Sequence, residues 1–251
     1  MRSAVSDLGV TANEEVIRQE FNRWAQAGRG EEMAEEHAAI VAGMLAQMEF
    51  QANDRILDLG CGSGWLCGIL ADKVPQGQVI GIDVADEMVR RARKRFADRE
   101  KMMFVIGPAE DIPWNDGFFN HVVSVESAYY WPQPAPSVRE IFRVTRPDGE
   151  VRLLINLYKE NTYAHQWREK LVVETHLLSG EEWCELLRQA GFTQTRHSRI
   201  VDPRPVSDSH QSKWFRNADE LRKFRREGAL LIYGRAPELA SRMRQPSWST
   251  M

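Results

Sequence analysis

Between residues 55 and 157, short apolar runs alternate with stretches whose apolar residues recur every three or four positions. The runs are ILDL at 56–59, VIGI at 79–82, MMFVI at 102–106, HVVSV at 121–125 and a fifth, centred on VRLLINL, at 150–157. They are too short for buried helices and have the near-continuous apolar character of strands covered on both faces. Between them, 65–74 and 86–96 read as helices, the second with Met88, Val89, Ala92 and Phe96 inward. Pro132, Pro134 and Pro136 delay the next helix to 137–144, and RPDG at 146–149 makes a turn. Strand and crossover helix in alternation predict a parallel sheet.

The flanks fill in the rest. Segments 14–26 and 31–48 read as helices broken by AGRG at 27–30, the second with Met33, His37, Ile40, Val41, Met44, Leu45 and Met48 on one face. Ser179 and Glu182 form a capping box for a helix at 181–190, which Gly191 ends in the C′ position. Strands at 193–201 and 229–234 bring the count to seven. The 27 residues between them, 202–228, are polar and proline-bearing at first and helical at 217–226. A connection that long within a compact domain is commonly functional or mobile. Residues 1–12 read as a loose arm and 237–251 as a frayed polar tail, so 51–236 is one α/β domain behind a helical region at 1–50.

One stretch carries chemistry. RILDLGCGSGW at 55–65 runs from a strand through Gly60, Gly62 and Gly64 into a helix start. Glycines there permit positive φ and close approach of a ligand to backbone, and the helix start offers unpaired N–H groups. A dinucleotide fingerprint would need a small residue at 65, where Trp65 stands. Asp58, inside the motif, suits a ligand ammonium group. Asp83 closes the next strand nineteen residues after Gly64, where a carboxylate can accept both ribose hydroxyls.

ILDLGCGSG followed by VIGIDVADEMV resembles the class I S-adenosylmethionine-dependent methyltransferases, and within them the small-molecule "type 11" group. The resemblance spans roughly residues 21–235. It implies a Rossmann-like, doubly wound, seven-stranded, mostly parallel sheet with an antiparallel last strand, a helical lid from 1–50 and a small helical cap at 158–178. It implies S-adenosylmethionine as cofactor and S-adenosylhomocysteine as product. Asp58, Gly60, Cys61, Gly62 and Gly64 would hold the methionine portion, with Trp24, Gly28 and Met33 of the lid nearby. Asp83 would hold the ribose, Val84 and Met88 the adenine faces, and Ala109, Glu110 and Asp111 the adenine edge. Pro108 replaces the family's usual Asp and removes both a backbone donor and a side-chain acceptor for the adenine amine.

Ligands in open α/β sheets bind at strand C-termini, which places Ser124, Glu126, Tyr129, Tyr130 and Trp131 at the junction of cofactor and substrate. Glu126 can orient an amine or accept a proton, and equally can cap the segment that follows. Tyr129, Tyr130 and Trp131 can form an aromatic wall, or pack beneath the cap. Glu126, Tyr130 and His165 are the catalytic candidates, and Tyr158 joins them in the substrate set. His165 is the best base by residue type, and His37 reads as a packed histidine.

The bulk numbers narrow the class. Net charge is −3, with 27% charged and 43% hydrophobic residues, so no basic excess points to nucleic acid. The arginines and lysine at 90, 91 and 93–95 read as a solvated helix face. Cys61, Cys67 and Cys184 are too few for a disulfide framework, and no metal-ligand spacing occurs. With no apolar leader or membrane-length run, a cytoplasmic protein acting on a small molecule is expected, as monomer or homodimer. The rival readings are an NAD-type dehydrogenase on a similar fold and a non-catalytic S-adenosylmethionine-binding sensor.

Overall fold

The computed structural model describes residues 12–238. Almost all of the expected arm and tail therefore lies outside the described residues. Two helices come first, α1 (Ala12–Gln26) and α2 (Arg29–Leu45). Then follow β1 (Arg55–Leu59), α3 (Trp65–Lys73), β2 (Gln78–Asp83), α4 (Asp86–Arg95), β3 (Met102–Ile106), β4 (Phe119–Val125) and α5 (Pro134–Val144). The chain closes with β5 (Thr145–Ile155), α6 (Gly180–Ala190), β6 (Thr193–Ile200), α7 (Ala218–Glu227) and β7 (Ala229–Arg235).

The seven strands form one sheet in the order β3-β2-β1-β4-β5-β7-β6. All pairs from β3 to β5 are parallel, and β7 runs antiparallel to both neighbours. Alternation along each strand splits the apolar residues between two cores. Ile56, Val79, Val123 and Leu154 pack with α2 and α3 on one face, while Leu57, Ile80, Val122 and Leu153 pack with α5 and α6 on the other. The order reverses between β1 and β4, which opens a crevice at their C-terminal ends.

Several boundaries differ from expectation. Helix α5 starts at Pro134 rather than 137, because proline is tolerated in a first helical turn, where its missing donor has no partner to lose. Strand β5 starts at Thr145. The expected turn at 146–149 lies inside it as an irregularity, with Thr145 opposite Phe119 and Glu150 opposite His121, and Asp148 at φ 62°. The cap at 158–178 holds one 3-10 helix, Thr162–Glu169, and otherwise lacks regular structure. The capping box at Ser179 and Glu182 forms in full, and Gly191 ends α6 at φ 111°.

The lid is fastened by a borrowed cap. Ala85, at the N-cap of α4, has no side-chain acceptor to offer. Asn22 of α1 supplies one: its Oδ1 accepts the Glu87 N–H at 3.0 Å while its Nδ2 donates to Asp86 at 2.7 Å. The N-terminus of α4 thus holds the lid in place. Removing an N-cap acceptor costs about 1 kcal/mol. Asn22→Ala is therefore expected to speed amide exchange in Ala12–Gln26 roughly fivefold, as hydrogen–deuterium exchange would show, with α6 unchanged.

Candidate functional site

The three glycines act as the sequence requires. Gly60, Gly62 and Gly64 have φ of 79°, 52° and 79°, and Gly64 is the N-cap of α3. A Cβ on Gly60 would lie 2.0 Å from Ser127 Oγ, so the loop after β1 and the segment after β4 touch through a hydrogen atom's worth of space. Asp83, at the end of β2, reaches across to this loop. Its Oδ2 accepts the Gly62 N–H at 2.8 Å and its Oδ1 the Ala85 N–H at 2.9 Å. Burial pushes the Asp83 carboxyl above the usual carboxylate range, although both backbone donors pull it down.

These strand ends line a first cavity. Gly60, Cys61, Gly62, Asp83, Val84, Met88, Ala109 and Glu110 lie on it, with Glu126, Tyr130 and Trp131, as the sequence suggests. The lid closes it with Ile17, Phe21, Gly30 and Met33. Sequence reasoning overlooked Ser63, Ser127 and Trp65, which also line it. Ser127 was within reach, since it directly follows the strand-end Glu126. Ser63 Oγ is buried with no partner among the described residues, a hydroxyl waiting for a polar ligand atom. The glycine cradle, the strand-end carboxylate and this orphan hydroxyl fit a nucleoside carrying a polar amino-acid tail.

Other candidates lie off this cavity or have partners of their own. Asp58 is buried but off the cavity, where its Oδ2 accepts from the Cys67 thiol at 3.2 Å, and burial pushes its carboxyl up to about 7. Gly64 and Ser124 are also off the cavity. Gly64 instead packs against Phe104, and the buried Ser124 hydroxyl has no hydrogen-bond partner among the described residues. Asp111 is exposed. Glu110 lines the cavity, yet its Oε1 is engaged at 3.1 Å by both the Gln133 N–H and Ser137 Oγ. Gly28 lies at φ 76° as the N-cap of α2 and touches neither cavity.

A second chamber of about 330 Å³ opens beside the first. Met33, His37, Glu126 and Tyr130 line both and form the wall between them. Glu126 is strained, with φ 54° where a non-glycine residue costs on the order of 1–3 kcal/mol. Its Oε1 accepts the Asn156 N–H at 2.6 Å and its Oε2 the Tyr129 hydroxyl at 2.9 Å. Burial nonetheless pushes its carboxyl up to about 7. His37 Nε2 stands 3.9 Å from Glu126 Oε2, and burial, helped by the charge of Arg204, lowers the imidazole to about 4, so it is neutral near pH 7. His37 is therefore a wall residue rather than a packed core histidine.

The far side of the second chamber comes from the 202–228 insertion and the cap. Trp167 packs against Trp214, Phe215 and Phe224 with ring centres 6.0, 5.9 and 5.2 Å away. Arg204 secures the insertion: it pairs with Asp202 and donates to the carbonyls of Glu35 (2.7 Å) and Glu36 on α2. Tyr158 and His165 line neither cavity. Tyr158 is a fully buried core residue whose hydroxyl donates to the Gly228 carbonyl at 2.7 Å. The His165 ring faces the Tyr158 carbonyl at 3.2 Å. Trp24, expected by the methionine end, lines the second chamber instead.

Comparison with known proteins agrees with this geometry. Residues 57–153 match the family model described as "Methyltransferase domain". The chain is 32% identical over 126 residues to the YrhH protein of Bacillus subtilis (strain 168), covering 48% of this chain and 69% of that one. It is 27% identical over 148 residues to a chloroplastic 2-methyl-6-phytyl-1,4-hydroquinone methyltransferase of Oryza sativa subsp. japonica, covering 58% of this chain and 41% of that one. The chain spans less than half the length of several such curated relatives, 32% in the case of a 37.1 kDa protein of Streptomyces fradiae. Among solved structures, the partner of the Haloferax volcanii Trm112 methyltransferase activator superposes with a TM-score of 0.81 at 31% identity, over 87% of this chain and 98% of that one.

Proposed function

The chain belongs to the class I S-adenosylmethionine-dependent methyltransferases, and on that premise we propose that it methylates a small molecule held in the second chamber. The observation that carries this reading is the shared wall: a strained, buried glutamate stands between a glycine-loop cavity and an aromatic-lined chamber. S-adenosylmethionine, when bound, supplies a methyl group already activated by a positive sulfur. The protein's part is to hold the two reactants in line and keep water out, and positioning of this kind can supply up to ~7–11 kcal/mol.

In this reading the Gly60–Gly64 loop and Ser63 receive the amino-acid end of the cofactor. Asp83 receives the ribose hydroxyls on lone pairs that the Gly62 and Ala85 N–H groups leave over. Val84, Met88 and Ala109 enclose the adenine. Glu126 takes the acceptor's proton, with the Tyr129 hydroxyl and the Asn156 N–H fixing its orientation. Tyr130, Met33 and His37 restrict the passage between chambers.

Titration calorimetry tests the cofactor half. Wild type is expected to bind S-adenosylmethionine and S-adenosylhomocysteine, and Asp83→Ala to bind at least tenfold more weakly, about 1.4 kcal/mol. No binding to wild type at millimolar ligand would sink the reading. The pH profile tests the other half. Ionised Glu126 is the active base, so kcat/KM should rise with pH up to about 7 and level off above it. Glu126→Gln should lower kcat about 10² to 10⁴-fold and abolish the inflection, with cofactor affinity unchanged. A variant that keeps both rate and inflection would remove Glu126 from the base role.

A protein partner of the activator kind is supported by the sheet's two edges. Edge β6 carries Arg196, His197 and Arg199, the charges that discourage pairing. Edge β3 has no charged residue of its own, although Arg93 of α4 donates to its Phe104 carbonyl; among the described residues it is strand-paired only with β2 and leaves Met103 55% and Ile106 46% exposed. We infer that β3 receives a Trm112-type activator. Coexpression with the Haloferax volcanii activator should yield a complex that a Met103→Lys/Ile106→Lys variant fails to form. Absence of complex with wild type, or equal capture of the variant, would refute this.

A further inference from the structure

The second chamber contains a cation that forms no ion pair among the described residues. Arg204 and Arg225 both pair with Asp202, and their remaining donors go to backbone carbonyls of Glu35, Glu36, Arg204 and Pro205. Glu126 is satisfied by Tyr129 and Asn156. Arg29 is different. Its guanidinium carbon lies 4.0 Å from the Trp24 ring centre and 5.4 Å from that of Trp214, held between two indoles. No carboxylate among the described residues forms an ion pair with it. Glu36, on the same helix, lines the same chamber without coming within ion-pair distance of Arg29; burial raises its carboxyl above the usual range while the charge of Arg29 pulls it down.

Stacking fixes the plane of an arginine and leaves its edge donors free for a planar oxyanion. It also leaves the charge in place, half-buried on an aromatic surface where an opposite charge is worth more than in water. Resting on the proposal that this chamber holds the acceptor, the geometry points to an acceptor with an anionic group, a carboxylate or a phosphate, seated on Arg29. Its apolar body lies against Trp167, Phe215 and Phe224, and its nucleophile reaches Glu126. The helix sets the reach. Arg29, Met33 and His37 recur every four residues on one face of α2, so Arg29 and His37 are about 12 Å apart along its axis. His37 adjoins Glu126. An acceptor two para-linked aromatic rings long spans that distance.

The test uses the full chain loaded with S-adenosylhomocysteine and four probes on one skeleton: 4′-hydroxybiphenyl bearing at position 4 a carboxylate, a phosphate ester, a carboxamide or an aminomethyl group. Titration calorimetry should show the carboxylate or the phosphate binding at least tenfold tighter than the amide, and whichever is tighter names the anion. Arg29→Gln should erase that preference, Arg29→Lys should keep part of it, and both should bind S-adenosylhomocysteine as wild type does. Equal affinity for acid and amide, tighter binding of the amine, an unchanged preference in Arg29→Gln, or no probe bound at millimolar concentration would overturn the anchor. If Arg29→Gln proves unstable, the acid–amide comparison on wild type still decides. Failure of wild type to bind S-adenosylhomocysteine would instead fall on the methyltransferase reading.

Discussion

Two strand ends are tied together through a single carboxylate. Asp83 lies at the end of β2, yet it holds the Gly62 N–H of the loop after β1 as well as the Ala85 N–H of its own turn. The glycine loop needs this support. Its three glycines occupy backbone regions that cost other residues energy and that give no side-chain packing in return. The loop is also pinned from beneath, where Gly60 and Cys61 both donate to the Ile82 carbonyl. Neighbouring segments are seated against that loop: Ser127 against Gly60, Gly30 of the lid against Ser63 and, off the cavity, Phe104 against Gly64.

The outer parts are attached by borrowed polar contacts as well as by core packing, since Ile40, Val41 and Met44 of α2 and Tyr158 and Ala164 of the cap are buried in the two cores. Asn22 caps α4 from the lid, and Arg204 of the insertion satisfies carbonyls of α2. Each bond joins segments far apart in sequence. Aromatic residues of lid, insertion and cap line the second chamber. The sheet provides rigidity and the added segments provide shape, the usual division of labour between scaffold and loops.

Much of this was legible in the chain. Sheet strands announce themselves by apolar runs between turns, and the glycine motif with Asp83 fixes which strand ends meet. Where the reading failed, the deciding contact was not local. Pro134 looked like a breaker but is the first residue of a helix. Asp58 looked like a ligand group, yet Cys67 of the next helix occupies it. His165 and Tyr158 had suitable chemistry, but Tyr158 is spent on the Gly228 carbonyl and His165 faces the Tyr158 backbone. Conversely, Arg29, Trp214 and Arg204 carry no motif. They matter because a 27-residue insertion folds back over α2, and no spacing rule records that.

The wall between the chambers has a thermodynamic consequence. Met33, His37, Glu126 and Tyr130 line both cavities at once, and on the proposed reading they face both ligands. A ligand that orders these side chains from one side leaves less to order from the other, so the two affinities are coupled and each ligand alters the other's by the same factor. Dissociation constants measured on either chamber alone therefore describe a different wall from the one present when both are filled.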